Sequence, residues 1–279
     1  MAYITGTNSA NSLSGTSSPD LIYAYNGNDT VFGGDGGDYI NGGRGNDNLY
    51  GELGDDIFEI GGSGSDMDLS PAGGLNNGWD NFFGGDGYDT IRILPTSGYS
   101  WTAIMVNSLS SIEALDNTSG GPGYVFFQGT VDFSSVVSMT NITQMQGTIG
   151  NETYIGGGLA ETVFGDAGND TLRGNGGDDY LSGDDGNDKL YGGIGNDDLH
   201  GGNGTDEFWF QVGEGTDIIY DYVDGVDKIG VGTSIAGINL YNYNGSALLE
   251  FVATGAASTF ALLNGVAPTA IDGTDFLWA

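Results

Sequence analysis

The chain has 279 residues, 54 of them Gly and none Cys, and carries 38 Asp plus Glu against 5 Lys plus Arg, a formal net charge of -33. The lack of cysteine excludes a disulfide framework and thiolate metal sites. The charge makes nucleic acid and anionic membranes poor partners, and no run of about eighteen apolar residues suggests a transmembrane helix or membrane insertion.

The N-terminus, MAYITGTNSANSLSG, has no basic region and no apolar core, so no Sec-type signal is expected. A nine-residue repeat begins almost at once, with units starting at Gly6, Gly15, Ala24, Gly33, Gly42 and Gly51. The sixth residues are Asn11, Asp20, Asp29, Asp38, Asp47 and Asp56; the eighth are Leu13, Ile22, Val31, Ile40, Leu49 and Phe58. The first unit has Asn in place of the acid, and the second, GTSSPD, lacks the glycine pattern. Both are expected to bind a cation poorly, as terminal repeats are often atypical. After Ile60 the register slips by one residue and GGSGSDMDL brings Asp66. The insertion SPAGGLNNG reads as a lengthened loop. The repeat resumes as LNNGWDNFF and GGDGYDTIR, with Asp80 and Asp89.

Residues 93–146 leave the consensus. They are rich in β-branched and aromatic residues, punctuated by Gly and Pro, and are expected to be β-structure that continues the repeat architecture without cation loops. Trp101, Tyr124, Phe126 and Phe127 are either core or an exposed patch. A second block opens at Gly147 with GTIGNETYI and GGGLAETVF, whose Glu152 and Glu161 are one methylene longer than Asp and fit a cation cage less well. Five unbroken units follow from Gly165 to Trp209: GDAGNDTLR, GNGGDDYLS, GDDGNDKLY, GGIGNDDLH and GGNGTDEFW. Their sixth residues are Asp170, Asp179, Asp188, Asp197 and Asp206; their eighth are Leu172, Leu181, Leu190, Leu199 and Phe208. Residues 210–279 alternate β-prone runs with glycine turns, which suits a cap over the last coil.

A strict period means one small unit stacked on itself. The residues around the eighth position form a short strand with one side chain inward. The glycine-rich remainder makes a turn with φ > 0 at several points. Nine residues are half a coil and eighteen a full turn, so Asp170 lies over Asp188 and Asp206, and Asp179 over Asp197. Carboxylates stacked at strand spacing repel unless a cation sits between them. Asp oxygens with loop carbonyls make an oxygen-only cage of the kind calcium takes.

The motif G-G-x-G-x-D-x-U-x resembles that of the RTX (repeat-in-toxin) family, and the resemblance covers nearly the whole chain, least in 93–146. It implies an all-β parallel β-roll: an N-terminal block at 1–92, a non-consensus β-segment at 93–146, a C-terminal block at 147–209, and a cap with a type I secretion signal at 210–279. The segment FQVGEGTDIIYDYVDGVDKIGV, with Asp217, Asp221 and Asp227, is similar to the post-repeat segment of secreted members. In the family, one loop binds calcium through the carbonyls of its first and third positions and its Asp. The next loop on that edge adds the carbonyls of its second and fourth positions and its Asp. Carried over, Gly165, Ala167 and Asp170 face Asp184, Gly186 and Asp188. By the same placement Gly33, Asp35, Gly36, Gly42, Arg44, Gly45, Gly168, Gly174, Gly176, Gly177, Gly193, Gly195, Gly202 and Gly204 supply carbonyls.

The resemblance implies a secreted protein, several calcium ions and folding on extracellular calcium. Roughly eight to ten divalent ions would cancel about half of the charge. No H-E-x-x-H or G-x-S-x-G is present, and the single His200 sits at an outward ninth position, so no catalytic site is expected. Family enzymes carry their catalytic domain ahead of the repeats, which here begin near Gly6. The first functional expectation is a structural protein that self-associates into a surface layer, fibre or matrix. The second is a monomeric module for a surface or matrix polysaccharide, using the ninth-position aromatics Tyr23, Phe32, Tyr50, Phe164, Tyr191 and Trp209. A third is a secreted enzyme with an unrecognised site in the middle segment.

Overall fold

The computed structural model describes residues 1–60, 78–94, 102–118, 120–253 and 255–279. Among them the regular structure is β-strand, apart from the 3-10 turn Pro268–Ala270. Among the described residues no helix is long and apolar enough to cross a membrane.

The strands follow from the eighth position. In Thr171–Gly176 the apolar Leu172 is fully buried, while Thr171 and Arg173 on either side are half-buried on the outer face. Each such strand pairs in parallel with the strand one turn on. Thr171, Leu172 and Arg173 lie opposite Lys189, Leu190 and Tyr191 on one wall. Thr162 and Val163 lie opposite Tyr180 and Leu181 on the other. Apolar residues therefore stack on apolar residues, and the interior is a column of buried side chains. Leu172, Leu181, Leu190, Leu199 and Phe208 have no exposed surface. Each such side chain contributes about 1.5–3 kcal/mol by leaving water.

The chain forms two compact units, Met1–Gln144 and Met145–Ala279. In the first, one wall runs Tyr3–Thr7, Leu21–Tyr25, Tyr39–Asn41, Ile57–Ile60, Thr90–Ile93, Ala114–Asn117, Ser138–Thr140. The opposite wall holds Ser12–Ser14, Thr30–Asp35, Asn48–Leu53, Asp80–Asp86, Thr102–Ser110 and Gly123–Phe127. The spacing between stacked acids is 18 residues from Asp29 to Asp47 and 33 from Asp47 to Asp80. Beyond the repeats the parallel pairing continues. Ala114–Asn117 lies on Thr90–Ile93, and Thr102–Ser110 lies on Asp80–Asp86 with a register shift between Val106 and Ser108. Phe127 and Phe133 are in the core, whereas Tyr124 and Phe126 are half-buried on the outer face. Trp101 lies outside the described residues.

In the second unit one wall runs Thr153–Ile155, Thr171–Gly176, Lys189–Ile194, Glu207–Phe210, Lys228–Val231, Phe276–Trp278. The other ends with Thr216–Ile219 and Thr259–Leu263, onto which Ser246–Val252 and Gly237–Tyr243 add in antiparallel fashion. This antiparallel meander is the C-terminal cap. Ala247, Leu249 and Phe251 turn inward, and Phe251 stacks on Phe210 at 5.0 Å. The fold is an all-β parallel β-roll, with two repeat blocks, a β-rich segment between them and a β cap.

Candidate metal centre

The turns between strands place the sixth residue, an acid in all but the first described unit, at the same point of each repeat. Two loop positions take positive φ, as at Asp184 (φ 69°) and Gly186 (φ 158°). The fourth position must be glycine for a second reason. A Cβ on Gly186 would fall on the carbonyl of Gly168, one turn earlier.

The sixth-position side chains point inward beneath these loops and form columns. The Oδ1 of each acid accepts the backbone N–H of the acid one turn before. In the second unit Glu152 donates to Asp170 (2.6 Å), Asp170 to Asp188 (2.7 Å) and Asp188 to Asp206 (2.9 Å). On the other edge Glu161 donates to Asp179 (2.8 Å) and Asp179 to Asp197 (2.9 Å). In the first unit the columns are Asn11–Asp29–Asp47–Asp80 and Asp20–Asp38–Asp56–Asp89, with bonds of 2.6–2.9 Å. Asp66 lies outside the described residues; Asp47 meets Asp80 and Asp56 meets Asp89.

The second carboxylate oxygen is different. The Oδ2 atoms of Asp29, Asp38, Asp56, Asp89, Asp170, Asp179, Asp188, Asp197 and Asp206 are buried and reached by no hydrogen-bond donor, as is Oε2 of Glu161. At Gly33, Gly51, Gly165, Gly174 and Gly183 the aspartate Oδ2 lies against the first-position glycine of its own loop, close to the first-position carbonyl one turn on. A Cβ built on Gly33 would sit 2.6 Å from Asp38 Oδ2 and 2.6 Å from the Gly51 carbonyl oxygen. On Gly165 it would sit 2.5 Å from Asp170 Oδ2 and 2.8 Å from the Gly183 oxygen. Gly174 stands in the same way to Asp179 and Gly192. Acceptors converge with no proton between them, which is costly in a buried place unless a cation is supplied.

Burial shows in the titration of these groups. It pushes Asp56, Asp170 and Asp197 up to about 7 and Asp89, Asp179, Asp188 and Asp206 up to about 6. Asp29 and Asp38 are also raised, and Glu161 reaches about 8. Desolvation is the leading cause in each.

Among the described residues no three His, Cys, Asp or Glu side chains gather as a metal cluster. What the columns offer a cation is paired carboxylates and loop carbonyls. That donor set is hard and all-oxygen, so it fits calcium and not zinc. The loops that would supply carbonyls are held in register by the backbone. Asn26 bridges Arg44, and Ala167 bridges Asp185, which bridges Asn203. Gly168 N–H donates to Asp185 O (2.8 Å), Gly177 to Ile194 (3.0 Å), Gly36 to Leu53 (2.6 Å) and Gly195 to Glu214 (2.7 Å). Asp35 N–H reaches Thr16 O, Gly176 reaches Gly157 O, and Asn203 reaches Asp184 O. At Gly45, Gly193, Gly202 and Gly204 an added Cβ would strike a carbonyl of the preceding turn, and at Gly42 it would meet Asp47 Oδ2 at 2.5 Å.

Three units satisfy their sixth residue without a cation. Thr16 donates to Asp20 Oδ2 through its N–H (2.7 Å) and its hydroxyl (2.8 Å). Thr148 Oγ1 donates to Glu152 Oε1 (2.7 Å), and Thr7 N–H to Asn11 Oδ1 (2.6 Å). A threonine at the second position thus donates protons where the consensus units leave an oxygen bare. The Ala2 N–H also bonds Asp20 and is the first cause of its lowered pKa.

The columns run on past the repeats, through residues the repeat pattern did not mark as ligands. Asp197 N–H donates to Asp217 Oδ1 (3.0 Å), Asp206 to Asp227 Oδ1 (3.0 Å), and Asp89 to Glu113 Oε2 (2.8 Å). Their spacings of 20, 21 and 24 residues depart from the 18-residue turn. Asp221 caps the loop below it, accepting from Gly201 and Gly202 at 2.9 Å.

The ninth-position aromatics form ladders. Phe32, Tyr50 and Phe83 stack at 4.9 and 4.7 Å with planes within 12°. His200 stacks on Tyr220 at 4.8 Å and lies 5.0 Å from Tyr180. Tyr191 has Trp209 on one side and the Arg173 guanidinium over its ring. Ring faces are spent on one another.

The RTX calcium-binding nonapeptide repeat model matches residues 5–40, 32–67, 76–92, 146–181, 155–190 and 174–208, together more than half of the chain. No curated protein matches it in sequence. Among solved structures it is similar to the extracellular lipase LipA from Serratia marcescens, at 19% identity and TM-score 0.40. That match covers 94% of this chain but 40% of the lipase chain. It is also similar to the AlgE6R3 subunit of the Azotobacter vinelandii mannuronan C5-epimerase, at 22% identity and TM-score 0.26, over 48% of this chain and 79% of that one.

Proposed function

The chain belongs to the family of RTX calcium-binding nonapeptide repeats, and from that premise we propose a secreted protein that folds on extracellular calcium and then self-assembles as a structural component. The observation that carries the first part is the set of buried carboxylate oxygens with no donor. Inside a cell calcium is scarce, the ionised columns repel, and the chain stays expanded and exportable, by the type I route common among repeats of this kind. Outside, sites of the extracellular class, with dissociation constants of roughly 10⁻⁴–10⁻³ M, fill and close the coils. When bound, calcium supplies positive charge between loops. The residues that would hold it are the columned aspartates from Asp29 to Asp89 and from Asp170 to Asp206, with first- to fourth-position carbonyls. Each acid touches the coil before it, so ordering one coil favours the next.

Support for assembly lies at the roll's edge strands. Among the described residues Tyr3–Thr7 pairs with Leu21–Tyr25 alone, and Ser12–Ser14 with Thr30–Asp35 alone. Their outer edges offer unpaired backbone groups to a second copy. The polysaccharide reading has less support, since stacked ladders present ring edges outward and sugars stack on ring faces. Light scattering during a calcium titration tests the assembly. Growth into filaments or sheets above the folding midpoint is expected; a compact monomer at every protein concentration would overturn it.

A further inference from the structure

We propose that a calcium site lies in the stretch where the repeat has ended, between the loop Gly84–Asp89 and the bend Ser111–Glu113, with Glu113 as its second carboxylate. The inference rests on the calcium reading above and extends it to a residue outside the nonapeptide pattern.

Three observations meet there. Asp89 is fully buried, and its Oδ2 has no hydrogen-bond donor. Glu113 Oε2 accepts the Asp89 N–H at 2.8 Å, the bond that a sixth-position aspartate accepts in every consensus coil. The carbonyl of Ser111 takes the place of a first-position glycine carbonyl: a Cβ on Gly84 would fall on Ser111 O and on Asp89 Oδ2. One turn earlier, a Cβ on Gly51 would meet Gly84 O at 2.5 Å and Asp56 Oδ2. The oxygen arrangement of the repeat is reproduced by a different chain path.

The chain path explains why a glutamate is used. In a consensus unit four residues stand between the first position, which gives the carbonyl, and the acid. Here only Ile112 stands between Ser111 and Glu113. The bend is shorter, so the carboxylate starts farther back, and the extra methylene of Glu restores its reach. Ser111 adopts φ 52°, the left-handed conformation that glycine usually serves, and so turns its carbonyl into the column. Ile112 is fully buried and anchors the bend to the core. The chemical class is a hard divalent cation held by two carboxylates and loop carbonyls.

The test is a calcium count by equilibrium dialysis on the full chain, for the unaltered protein, Glu113→Gln and Asp116→Asn. Glu113→Gln keeps an oxygen acceptor for the Asp89 N–H, so the coil is retained while the charge is lost; far-ultraviolet circular dichroism in calcium checks this. At calcium concentrations that just saturate the unaltered protein, Glu113→Gln should bind one ion fewer, with that site weakened about tenfold or more. Asp116→Asn, a strand residue outside the column, should bind the full number. An unchanged count in Glu113→Gln would overturn the site while leaving the consensus sites standing. No calcium bound by the unaltered protein would overturn the underlying reading instead.

Discussion

Asp188→Asn separates the two roles of a column acid. Asp188 Oδ1 accepts the Asp170 N–H at 2.7 Å, and an asparagine carbonyl keeps that bond. Asp188 Oδ2 is buried without a donor and lies, with the Gly201 carbonyl, beside Gly183, where an added Cβ would be 2.7 Å from Gly201 O. An amide NH₂ in place of Oδ2 has that carbonyl as its acceptor. A buried acceptor without a partner costs about 1–3 kcal/mol. Removing it should stabilise the calcium-free roll by that amount, roughly 5- to 150-fold in the folding equilibrium. The same substitution should weaken calcium binding at the two sites on either side of Asp188, since its acid lies between Asp170 and Asp206. Urea unfolding in chelator reads the first effect and a calcium titration reads the second. A variant that is no more stable in chelator and binds calcium as before would refute the reasoning.

Acid should favour the calcium-free roll. Burial raises Asp56, Asp170 and Asp197 to about 7 in the folded chain, against about 3.9 when unfolded. Folding therefore takes up protons, and this contribution is full below about pH 4 and lost as pH rises through about 7. Circular dichroism in chelator should show more folded chain at pH 4.5 than at pH 7.5, and calcium binding at pH 6 should release protons to a weakly buffered solution. Thr148→Val removes the hydroxyl that satisfies Glu152 Oε1; it should cost about 0.5–1.5 kcal/mol of calcium-loaded stability in thermal unfolding, with no change in ion count.

Much of the fold was legible in the sequence because a nine-residue period fixes both the buried side chain and the acid. Leu172 over Leu190 and Asp170 over Asp188 follow from counting to eighteen. The acids that continue the columns escaped the same counting. Glu113 stands 24 residues after Asp89, because the coil that carries it is longer and its bend shorter. Asp217 and Asp227 stand in the recognised post-repeat segment, but only the observed bonds from Asp197 and Asp206 place them in the columns. The threonine caps at Thr16 and Thr148 were invisible for another reason. Their function lies in a hydroxyl pointing at an oxygen, and a single residue type at a loop position carries no such geometry. The aromatics at Phe32 and Tyr50 were legible as outward-facing, but their ladder spacing comes from strand separation, which turns the rings on one another.

Small-angle scattering through a titration from chelator into millimolar calcium at pH 7.5 reads folding on calcium without any intermediary. An expanded chain in chelator and a cooperative collapse to a compact roll on adding calcium are expected. A chain already compact in chelator, with dimensions unchanged by calcium, would contradict folding on calcium.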